Sequence, residues 1–178
     1  MKSKRTRFTA RFAEERVTDD ANSLIEVKIG ALIMDPNTNT PIVVLKGVES
    51  ETVLPIWVGA FEANAIALEI EKIVPQRPMT HDLLRNLIIE CGLTASRVIV
   101  TDLHENTFYA TIEMRDGDGE LVSMDSRPSD AIAVALRLDC PIFVRKNVIE
   151  LSASSGQVGD PEISDVGAEG EEWPEVID

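Results

Sequence analysis

Residues 131–138 read "AIAVALRL", a run that at helical spacing is apolar on nearly every face. No other feature of the chain limits its fold as much. A helix without a polar face cannot rest on a surface, and has to be packed on several sides. Its entrance is quite different. The preceding "DSRPSD" (125–130) crowds Asp125, Arg127 and Asp130 around Pro128, which suits the first helical position because its missing N–H costs nothing there. Asp130 then falls in the first turn, where the helix dipole favours a carboxylate by about 0.3–1 kcal/mol. The N-terminal end is thus where this helix meets solvent or a partner. Two readings stay open on the residues alone. Arg127 pairs with Asp125 or Asp130 in a structural knot, or two carboxylates hold a divalent cation while Arg127 holds an anionic oxygen.

A chain of 178 residues, 44% hydrophobic and 27% charged, can build one ordinary domain with a real core around such a helix. No apolar run reaches the roughly 18 residues that would span a bilayer. The basic N-terminus (Lys2, Lys4, Arg5, Arg7, Arg11) is followed by no continuous apolar segment, so it does not read as a signal peptide. Cys91 and Cys140 lie far apart and outside any metal-ligand spacing, as expected of reduced thiols in a cytoplasmic protein. The formal net charge is −14, and it is unevenly spread. Residues 151–178 carry eight acids and no Lys or Arg, residues 1–20 carry six bases against four acids, and residues 21–150 carry eleven bases against nineteen acids. An acidic domain argues against a protein that grips a phosphate backbone by releasing many counterions. Any nucleic-acid contact must be local.

Composition divides the chain into a basic mobile arm (1–22), a domain (23–151) and an acidic tail (152–178) without apolar period, expected to be disordered. Within the domain, "SLIEVKIGALIM", "IVVLKG" and "TVLPIWVG" have strand composition and are punctuated by the turn-rich "DPNTNTP". At Gly59 the period changes: Ala63, Ile66, Ile70 and Ile73 fall at helical spacing. Thr80 is the expected N-cap of a second helix, His81 to Cys91, closed by Gly92. "RVIVTDL" and "TFYATIEMR" predict a hairpin across "HEN", and the turn "DGDGE" leads to "LVSMD", the apolar helix and a short strand "IFV". Strands in runs with helices grouped between them imply a single α+β domain: a mixed, largely antiparallel sheet with about three helices packed on it.

Four blocks, "LPIWVGAFEANAIALEI", "RPMTHDLL", "TFYATI" and "DSRPSDAIAVALRLDCPIFV", occur in an order and spacing that resembles the bifunctional nuclease (DNase/RNase) domain family. The resemblance covers roughly residues 24 to 150. It implies a compact, oligomeric α+β domain that hydrolyses phosphodiester bonds in DNA and RNA. Its polar positions fall here on Glu62, Asn64, Arg77, Thr80, His81, Asp82, Tyr109, Asp125, Arg127, Ser129 and Asp130. Phosphodiester hydrolysis needs an activated water and charge stabilisation on the phosphoryl oxygens, and Mg²⁺ or Mn²⁺ held by carboxylates can supply both. On that reading the catalytic group is His81, Asp125, Asp130 and Glu62, and the metal ligands come from Asp125, Asp130 and Asp82. His81 is the base or proton shuttle, since an imidazole moves a proton near neutral pH. Arg77 and Arg127 clamp phosphate, with Ser129 and Tyr109 as further substrate contacts.

Each residue also has a plainer explanation. Glu62, Thr80 and Asp82 fit capping and dipole effects, and the lone Tyr109 fits strand packing with one hydrogen bond. Glu69 shares a face with Glu62 but lies about 10.5 Å along the axis, too far to share an ion. The competing class is a non-catalytic oligomeric binding or regulatory module, favoured by the acidic domain and by "EEWPEVID", which resembles a docking segment.

Overall fold

The computed structural model describes residues 23–154; the basic arm and most of the acidic tail lie outside the described residues. The chain runs β1 (Leu24–Met34), β2 (Pro41–Gly47), β3 (Val53–Trp57), α1 (Ala60–Ile70), α2 (Thr80–Glu90), β4 (Thr94–His104), β5 (Thr107–Arg115), β6 (Leu121–Ser126), α3 (Pro128–Leu138), β7 (Ile142–Arg145) and α4 (Lys146–Ser154). The seven strands form one sheet in the order β3-β2-β1-β7-β4-β5-β6. Every neighbouring pair is antiparallel except β4 with β7. This is the expected α+β domain with a mixed, largely antiparallel sheet.

Local chemistry explains the connections. Glu105 and Asn106 both adopt positive φ, so a two-residue turn joins β4 to β5 and pairs His104 with Thr107. Asp116 closes the next turn by accepting from the backbone N–H of Asp118 and Glu120 through Oδ1. After α3, Asp139 takes the left-handed conformation (φ 52°), which stops the helix and turns Pro141 toward β7.

Alternation along the strands sends Val27, Val43, Leu45, Leu54, Ile56, Val98, Val100, Ala110, Ile112, Met114, Ile142 and Val144 into one core with α3. Ala131, Ile132, Ala133 and Val134 are fully buried, and α3 packs against α1, α2, β4 and β5. The apolar run thus has the several-sided packing that its composition demanded.

A fourth helix joins the about three expected: residues 146–154 continue as α4, across residue 151, with Val148 and Ser152 buried one turn apart. One local expectation is corrected. The N-cap of α2 is Met79, not Thr80, which is the first helical residue. Asp82 makes a hydroxyl cap unnecessary by accepting the Met79 backbone N–H at 2.8 Å.

Candidate functional site

Helices α1, α2 and α3 each carry an acid at their third residue: Glu62, Asp82 and Asp130. None of the three N-cap residues (Gly59, Met79, Arg127) donates or accepts through a side-chain cap bond. The acids occupy the positions where exposed N–H groups and helix dipoles favour negative charge. The packing of α3 against its two neighbours brings these helix starts together.

Asp130 is the hub. Arg127 donates to it through both Nε (Oδ2, 2.7 Å) and Nη2 (Oδ1, 3.1 Å), a planar two-point grip. His81 Nε2 lies 3.0 Å from Asp130 Oδ1. Arg127 Nη2 also reaches Glu62 Oε1 at 2.8 Å, tying α1 into the cluster. Gly59 matters for that last contact. A Cβ at residue 59 would collide with Glu62 Oε2, so the missing side chain lets the carboxylate fold back over its own helix start.

Burial alone would push the Asp130 carboxyl up. The hydrogen bonds from Arg127 and His81, together with the Arg127 charge, outweigh it and hold the group below the usual carboxylate range. Asp130 is therefore an ionised, acceptor-only partner. Nε2 of His81 must then donate to it, which in a neutral imidazole leaves the Nδ1 lone pair free to accept another proton. The His81 side chain is 13% exposed, whereas that of Arg127 is 65% exposed at the mouth of the cluster. Burial would likewise lower the guanidinium, but hydrogen bonds to Asp130 first and then Glu62 raise it instead.

Asp82 belongs to a different contact. Arg137 Nε donates to its Oδ1 at 2.6 Å, and burial's upward push on the carboxyl is outweighed by this bond, by the Met79 N–H and by the Arg137 charge. Ser129 is buried behind the entrance at 6% exposure. Asn64, Arg77 and Thr80 are exposed on α1, in the loop before α2 and at the α2 start. Asp125 and Tyr109 are not part of the cluster. Ala110 and Ile112 point into the core beneath α3, so Tyr109 and Thr111 point to the opposite face of the sheet. Asp125 pairs with Thr111 and shares that far face, away from Asp130.

The structure thus unites Glu62, His81, Arg127 and Asp130, and sets Asp125, Tyr109, Ser129 and Arg77 apart. Among the described residues no group of three or more His, Cys, Asp or Glu side chains is arranged to hold a metal ion. The donor chemistry agrees, because guanidinium groups already occupy the carboxylates of Glu62, Asp82 and Asp130.

Sequence reasoning passed over Arg137. It lies on the apolar α3, where a lone charge at a buried position must have a partner. That requirement was the available signal.

The family model of the bifunctional nuclease domain matches residues 43–156. An uncharacterized protein of Mycobacterium tuberculosis is 39% identical over 124 residues, covering 70% of this chain and 73% of its own length. Bifunctional nuclease 1 of Arabidopsis thaliana is 33% identical over 110 residues, which are 60% of this chain and 34% of that protein. Bifunctional nuclease 2 of Oryza sativa subsp. japonica is 29% identical over 101 residues, 56% of this chain and 31% of the plant protein.

Proposed function

The chain belongs to the bifunctional nuclease domain family, and from that premise we propose that it hydrolyses phosphodiester bonds of DNA and RNA at the junction of α1, α2 and α3. One observation carries the reading: an ionised Asp130 orients His81 while an exposed Arg127 stands beside them. Asp130 accepts the Nε2–H, so Nδ1 takes the proton of the attacking water as its oxygen bonds to phosphorus. The exposed Arg127 guanidinium engages the phosphoryl oxygens and offsets the charge that builds there. The P–O bond to the leaving sugar oxygen then breaks, and that oxygen recovers a proton from His81. Asp130 stays ionised throughout and holds the imidazole in one tautomer.

The test is hydrolysis of single- and double-stranded DNA and RNA by tag-free protein, each with Mg²⁺, Mn²⁺ or EDTA. The divalent cation expected from the sequence is thereby measured as a variable. Cleavage that survives EDTA and falls by about 10²–10⁴ in His81→Gln supports His81 as the base. Binding without cleavage under every condition would favour a non-catalytic ligand-binding module.

The same proposal includes a homo-oligomer. Phe61 is 89% exposed on α1, and Leu83 and Leu87 are 65% and 56% exposed on α2. Large apolar side chains so placed favour burial against another subunit. Trp57 contributes less, since it is 38% exposed and its Nε1–H donates to Asp35 Oδ2 at 3.3 Å. Light scattering at micromolar concentration is expected to give a multiple of 19.6 kDa. A monomer mass would remove this part of the proposal.

A further inference from the structure

Among the described residues Arg137 is the one buried charged side chain, and its contacts reach all three helices of the cluster. Nε donates to Asp82 Oδ1 at 2.6 Å, in the first turn of α2 and next in sequence to His81. Nη1 donates to the carbonyls of Ala65 in α1 and Ala133 in α3, each at 3.0 Å. Ala65 follows Glu62 by three residues, and Ala133 follows Asp130 by three residues. At that spacing each carbonyl lies about one turn below the acid at its own helix start. The guanidinium therefore sits one layer beneath the cluster and fixes the three helix starts to a common point. The return contact comes from Arg85 on α2, whose Nε donates to the Arg137 carbonyl at 3.1 Å. Asp82 completes the lock: its second oxygen accepts the Met79 N–H and so clamps the turn that carries His81.

We propose that Arg137, acting through Asp82, is a positioning residue that holds His81 Nε2 in register with Asp130. The inference rests on the proposed hydrolysis for its kinetic consequence only, because the alignment itself can be read without activity. A buried guanidinium suits the task, since its planar fork directs donors to a carboxylate and two carbonyls at once, which an ammonium cannot do. Removing one partner leaves a buried charge, so the informative variant removes both.

In the full-length chain, with His104→Gln leaving His81 as the single imidazole, Arg137→Met is combined with Asp82→Leu. Apolar replacement of both members of a buried ion pair is often neutral for stability, so this variant is expected to fold. Long-range nitrogen–proton NMR of the His81 ring is expected to show one Nε2–H tautomer in the parent and a mixture in the variant. Turnover is expected to fall about a hundredfold, the scale of a misplaced catalytic group, with KM little changed. Arg137→Lys, which keeps the charge without the fork, is the second variant and should show the same tautomer mixing. A folded variant that keeps the single Nε2–H tautomer and full turnover would overturn the proposal. So would loss of the fold in both variants, which would make Arg137 a stability element instead. Should the parent prove inactive, the hydrolytic reading fails while the tautomer comparison still decides this one.

Discussion

Asp130→Asn is expected to lower phosphodiester hydrolysis by about 10²–10⁴, with the fold retained. The amide is nearly isosteric with the carboxylate, yet it is neutral and is no longer acceptor-only. It cannot hold His81 in the single Nε2–H tautomer, because its NH₂ group can donate to an unprotonated nitrogen. It also loses the two-point grip in which Arg127 Nε and Nη2 both donate to the carboxylate. The stability cost is small by comparison. Arg127 is 65% exposed and can return to water, so its ion pair contributes about 0–1 kcal/mol. Loss of the negative charge from the first turn of α3 adds about 0.3–1 kcal/mol. Thermal melts and nuclease assays on one preparation separate the two readings of this cluster. A structural knot predicts early unfolding in Asp130→Asn, whereas a catalytic cluster predicts a folded but silent protein. A folded variant with undiminished cleavage would move the chemistry away from Asp130.

Arg137→Met is expected to cost about 3–5 kcal/mol of stability, because it strands the Asp82 carboxylate beside a desolvated helix junction. It also takes donors from the carbonyls of Ala65 and Ala133. For a domain of this size each kcal/mol lowers the melting temperature by roughly 2–4 °C, so a loss of about 6–20 °C is the expected reading. The penalty should depend on pH in a definite sense. Burial pushes the Asp82 carboxyl up, but Arg137 and the Met79 N–H outweigh it and hold the folded value below that of the unfolded chain. A depressed carboxylate contributes stability that is present above the unfolded value of about 3.9 and disappears as pH falls through the folded one. The gap between Arg137→Met and the parent should therefore be full at neutral pH and shrink below about pH 4. Urea unfolding at pH 7 and pH 3 measures it. A gap that does not change with pH would show that the lost carbonyl contacts, not the ion pair, cause the destabilisation.

The sequence by itself determined the order of the seven strands and first three helices, since strand alternation, turn residues and the Pro128 start act over a few neighbours. It determined the burial of α3 as well, because an all-apolar helix has no other stable position. It placed Glu62, His81, Arg127 and Asp130 at helix starts through the same local rules. The α4 helix was missed because its signal is short: Val148 and Ser152 give a single helical repeat next to an acidic tail.

Which of these charged groups meet was decided by tertiary structure alone. His81 and Asp130 stand 49 residues apart, and Asp82 and Arg137 stand 55 apart, so no local pattern links them. Asp82, a metal-ligand candidate on sequence, is instead the partner of a buried arginine. Asp125 shows the limit most sharply. It precedes Arg127 by two residues and Asp130 by five, and on sequence it belongs with them. Side chains on a strand alternate between faces, however, and β6 pairs Ser126 with Ala110 on the core side and Asp125 with Thr111 on the other. One step along the strand sends the carboxylate to the far side of the sheet. Register, which is fixed by pairing with β5 and not by the six residues around Asp125, made that choice.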